Sequence, residues 1–109
     1  MSGVIKPEEG KAWIAATWVF DNIMRLTRKH VDESLSNLHS LMDSFLDEEQ
    51  NPLRYLELGR LTLAERSALG QALHIAYRDA ANAGSECFSS PEFYPGFMER
   101  FGELIETVG

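Results

Sequence analysis

The chain has 109 residues, 44% of them apolar and 25% charged, the composition of one folded domain rather than of a disordered segment. Seventeen Asp and Glu against ten Lys and Arg leave a formal charge of −7, which repels nucleic acid and anionic lipid and attracts basic protein surfaces. The single cysteine, Cys87, excludes an internal disulfide, and the longest uncharged apolar run, residues 12–20, is too short to span a bilayer.

The first predicted helix covers residues 7–30. Pro7 suits a first helical turn, where its missing N–H has no partner to lose, and Glu8 and Glu9 favour the positive end of the helix dipole. Trp13, Ala16, Thr17, Phe20, Ile23, Met24 and Thr27 fall on one stripe at three- and four-residue spacing. Arg25, Arg28 and Lys29 sit where cations suit the C-terminal end. Residues 13–20 are also rich in aromatic and β-branched side chains, the composition of a strand; the caps and the length favour the helix.

Asp32 is the expected N-cap of a second helix, whose apolar side carries Leu35, Leu38, Met42 and Phe45 and which ends near Asn51-Pro52. A short helix over residues 53–60 stops at Gly59. The third helix has the clearest start, because Thr62-Leu63-Ala64-Glu65 reads as a capping box. Its stripe is Leu69, Leu73, Ala76, Tyr77 and Ala80, and it ends around residues 82–84. Ala68, Ala72, Ala76 and Ala80 form a ladder that admits another helix closely, and Gly70, which costs about 1 kcal/mol against alanine in a helix interior, fits close packing too. Residues 84–96 hold two prolines and a glycine at each end and are expected to be irregular. A final helix carries Phe97, Phe101, Leu104, Ile105 and Val108 on one face. The expected fold is therefore all-α: one helical domain over residues 1–109, a compact bundle of four main helices with a long irregular loop before the last. Its expected core includes Trp13, Phe20, Leu38, Phe45, Leu69, Leu73, Phe101 and Ile105.

The chemistry of an active site is not legible. His30, His39 and His74 show no metal-ligand spacing, and the acids Asp43, Asp47, Glu48 and Glu49 lack the alternating ligands and turn glycine of a calcium loop. No nucleophile elbow or phosphate-binding loop occurs, and Glu86 and Phe88 around Cys87 disfavour a reactive thiolate. The expectation is a non-enzyme without catalytic, cofactor-binding or metal-binding residues. Arg25, Arg28 and Lys29 make too small a basic patch for direct nucleic-acid binding, and no membrane association is expected.

Charge segregation carries the functional expectation. Between residues 30 and 53 there are six carboxylates and no Lys or Arg, and the last quarter sets Glu86, Glu92, Glu99, Glu103 and Glu106 against Arg100 alone. Five of the eleven aromatics, Phe88, Phe93, Tyr94, Phe97 and Phe101, fall among those acids. They either close the core or stay exposed as anchors in an acidic rim, the composition of an interface hot spot. The reading is a small cytoplasmic protein-binding inhibitor or neutraliser, of an immunity or anti-defence type, that covers a basic surface on a partner protein, with nucleic-acid-handling proteins among the candidates. Its contact residues are Asp43, Asp47, Glu48, Glu86, Phe88, Glu92, Phe93 and Tyr94. The alternative is a homodimeric adaptor or secretion-chaperone-like protein, joined through Trp18 or through the Ala68, Ala72, Ala76 and Ala80 ladder.

Overall fold

The computed structural model describes residues 2–7, 10–45, 55–84 and 91–108. The described residues are mostly helical, with four α-helices, but they also build a three-stranded mixed sheet, and the all-α expectation is wrong on that account. The departure is concentrated at the N-terminus. Strand β1 (Ser2–Lys6) pairs antiparallel with β2 (Trp13–Ala16), in a register that sets Gly3 opposite Ala15 and Ile5 opposite Trp13. Pro7 follows the end of β1 instead of opening a helix, and Gly10 supplies the positive φ, 86°, that the turn requires. Strand β3 (Tyr55–Glu57) joins the other edge of β1 in parallel, so the order is β2-β1-β3. The expected short helix over 53–60 is thus, in its described part, this strand followed by a single 3-10 turn, Leu58–Arg60.

Helix α1 (Thr17–Arg28) begins directly where β2 ends, with no side-chain cap between them. That seam explains the mistaken helix. Trp13 and Ala15 are buried while Ile14 and Ala16 are exposed, a two-residue alternation that ends where the helical spacing of Phe20, Ile23, Met24 and Thr27 begins. Trp13 is buried on the strand and stands seven residues, two helical turns, before buried Phe20, so the wheel reads through the junction. What selects the strand is pairing with β1, to which a helical wheel is blind.

α1 is the central element, packing against β1, β2, α2 (Ser36–Phe45), α3 (Leu63–Ala83) and α4 (Tyr94–Val108). Phe20, Ile23 and Met24 are completely enclosed. The inner face of the sheet brings Ile5, Trp13, Ala15 and Leu56 onto this core. The Trp13 indole N–H donates to the Arg100 carbonyl at 2.9 Å, tying β2 to α4. Of the core set expected from sequence, Trp13, Phe20, Leu38, Leu69, Leu73 and Phe101 are buried and Ile105 is half-buried; the Phe45 side chain lies outside the described residues.

The helix ends divide. α3 starts as its sequence states: the Glu65 N–H donates to Thr62 Oγ1 at 3.1 Å and the Thr62 N–H to Glu65 Oε1 at 2.9 Å, and the helix closes on Gly84 with φ 67°. α2 does not start at Asp32. That carboxylate accepts from the Ser34 N–H at 2.9 Å in a turn, and the helix opens at Ser36. The irregular stretch before the last helix is also shorter than expected. Pro91–Phe93 form a 3-10 turn, and α4 runs from Tyr94 through Pro95, which lies in the first turn and has no helical hydrogen bond to lose there. Ala72, Ala76 and Ala80 are buried by the chain's own helices, so most of the small-residue ladder is spent on internal packing.

Candidate functional site

Four of the eight expected contact residues are described: Asp43, Glu92, Phe93 and Tyr94. Asp47, Glu48, Glu86 and Phe88, like Cys87, lie outside the described residues. The structure sorts the aromatic cluster by position. Phe97 and Phe101 are wholly buried, their rings packed edge-to-face at 5.7 Å, and Tyr77 meets Phe101 edge-to-face at 5.3 Å. Tyr94 is half-buried, and its hydroxyl donates to the Ala80 carbonyl at 3.2 Å, pinning the start of α4 to the end of α3. Phe93 is different: it stays 51% exposed.

Phe93 meets Trp18. The indole, 43% exposed in the first turn of α1, lies edge-to-face with Phe93 at 5.6 Å and stacks over buried Phe97 at 6.3 Å. Trp18 thus packs on buried Phe97 and shares the surface with Phe93. Glu92 precedes Phe93 and is exposed, and Asp21 follows Trp18 by three residues, the spacing of neighbours on a helix surface. Trp18 stands outside the eight contact residues expected from sequence but is the candidate subunit seam there, its place off the apolar stripe of α1 being the signal.

Asp43 belongs elsewhere. Its Oδ2 accepts from Arg28 Nη2 at 3.0 Å, and the pairing raises the guanidinium pKa above its ordinary value. One of the expected steering carboxylates is therefore already matched to a cation of the same chain. Arg28 ends α1 and Trp18 begins it, so ten residues, about 15 Å of helix, separate the two described patches. α2 and α4 each pack on α1 with little direct contact between them. Asp43 and the aromatic patch accordingly lie on two surfaces at opposite ends of α1.

The histidines take local roles. His30 Nε2 meets Asp79 at 2.9 Å, linking the end of α1 to α3, and His39 Nε2 lies 2.9 Å from the Val31 carbonyl. Among the described residues no three His, Cys, Asp or Glu side chains gather as metal ligands would, and no helix is long and apolar enough to cross a membrane. Comparison with protein-family models, with curated proteins and with solved structures finds no match.

Proposed function

We propose that the protein is a stoichiometric protein-binding inhibitor or neutraliser that covers a basic surface of its partner, with Trp18 and Phe93 as anchors. The observation that carries this reading is the exposed Trp18–Phe93 pair, held over Phe97 and flanked by Glu92 and Asp21. Large rings already fixed by packing lose little conformational freedom on binding, and such rings dominate interface energetics. The −7 charge supplies the long-range part, speeding encounter with a basic partner, including one that handles nucleic acid. The carboxylates outside the paired Asp43, among them Asp47, Glu48, Glu86 and Glu92, remain the proposed steering residues.

The test begins with affinity capture from the native cell, followed by purification of the retained protein and surface plasmon resonance at two salt concentrations. Trp18→Ala and Phe93→Ala should each raise the dissociation rate and cost about 2 kcal/mol of affinity, whereas reversing Asp47 and Glu48 to lysine should slow association and flatten its salt dependence. Folded variants that bind like the parent would remove the reading. Light scattering separates the alternative, a homodimeric adaptor joined through Trp18, because only then does Trp18→Ala halve the mass in solution.

A further inference from the structure

The outward side of α3 presents a second surface that uses neither Trp18 nor Phe93. Arg66, Gly70, His74 and Arg78 follow at four-residue spacing; the three basic side chains are exposed and no acid interrupts them. Arg66, Gly70 and His74 line an open groove of about 410 Å³, with Leu63 at one end and Val108 of α4 at its side, and Leu63 is 87% exposed. Gly70 has no function within the described chain. Its φ is not positive, and a Cβ built there meets nothing within 4 Å, yet glycine in a helix interior costs about 1 kcal/mol relative to alanine. A glycine in the middle of an outward helix face is what lets a second backbone come close.

Helix α4 carries the complementary charge. Glu99, Glu103 and Glu106 form a ridge at helical spacing, and Arg100 holds Glu103 at 2.7 Å. The relative levels of the two helices are set inside the chain. Tyr94 bonds Ala80, Gly102 lies against Tyr77, and Val108 borders the groove, so α4 runs antiparallel to α3. Counting from the Gly102–Tyr77 contact, Glu99 stands within a turn of the level of Arg78, and Glu106 stands beside the level of His74.

We propose that this groove is an interface between two copies of the chain, the α4 of each lying antiparallel along the α3 ridge of the other. A two-fold axis parallel to the helices leaves the levels unchanged. It therefore sets Glu99 and Glu106 of the second copy against Arg78 and His74 and makes four helices from two hairpins. Opposite charge selects the second copy as the occupant: a chain of −7 repels itself elsewhere, but here Glu99 meets Arg78 and Glu106 meets the polar ring of His74, while Arg66 donates to the Pro7 carbonyl at 2.9 Å.

Sedimentation equilibrium tests this directly. The parent should sediment at twice its 12.3 kDa. Gly70→Leu, whose Cβ meets none of the chain's own atoms within 4 Å and whose side chain occupies the open groove, should keep the parent's circular dichroism and sediment as a monomer. Arg78→Glu should weaken self-association by about tenfold or more, and adding Glu99→Arg to it should restore the parent's behaviour. A monomeric parent, a dimeric Gly70→Leu, or a double variant no better than Arg78→Glu would overturn the proposal. A monomeric parent whose α3 amide resonances shift with an acidic amphipathic peptide would likewise overturn it and assign the ridge to another protein.

Discussion

Gly3→Ala is the most discriminating single change, because two physical effects predict opposite signs. Glycine in a strand interior is disfavoured against alanine by about 0.5–1 kcal/mol, so in open space the substitution would stabilise. The space at Gly3 is not open. A Cβ there would land on Cβ and Cγ of Phe20 and 2.6 Å from its Cδ2. The Phe20 Cβ is fixed by the α1 backbone, so no rotamer relieves the overlap, and β1 must move off α1, carrying its pairing with Ala15. Overpacking of this kind costs about 1–3 kcal/mol, which exceeds the conformational gain. The expected result is a net loss of about 1–2 kcal/mol, or a Tm lowered by roughly 5–12 °C for a domain of this size. Urea titration followed by circular dichroism measures it, with Gly59→Ala as the control. That exposed glycine has ordinary φ and nothing within 4 Å, and its replacement should stabilise by about 0.4–1 kcal/mol. If Gly3→Ala is as stable as the parent, β1 does not press against α1 and the sheet is misplaced.

Three further outcomes follow from the same structure. Phe101→Ala, which empties a site enclosed by Phe97 and Tyr77, should cost about 3–5 kcal/mol in the same titration. Thr27 is fully buried and its hydroxyl has no hydrogen-bond partner among the described residues, so Thr27→Val should be neutral or stabilise by about 1 kcal/mol; a loss of that size would reveal a bond to the hydroxyl. The Ser34 N–H bonded to Asp32 holds that carboxyl below its ordinary pKa, so the unfolded chain takes the proton first and the stabilisation, present above pH about 4, is lost as pH falls through the lowered folded value. Asp32→Asn should accordingly flatten the acid limb of a stability-against-pH curve measured by thermal melting.

How much of the fold is legible in the residues depends on the range of the interaction that decides each part. The capping box at Thr62 and Glu65, the glycine stop at Gly84 and the apolar spacing of α3 and α4 are interactions within a few residues, and each is present where the sequence places it. The acidity and the aromatic cluster are equally plain from the residues alone. The sheet is not, because β1, β2 and β3 exist through pairing across segments, and the parallel partner of Val4 is Tyr55, some fifty residues away. The same holds for the surface. Tyr94 and Phe93 are adjacent aromatics in one acidic run, yet one is bonded to Ala80 and the other is exposed beside Trp18, a division made only when α4 docks against α1 and α3. Local sequence determined the charge, the start and stop of α3 and which rings are available. Tertiary contact decided that a strand precedes α1, that Asp43 belongs with Arg28, and which ring faces solvent, since each of these depends on partners distant along the chain.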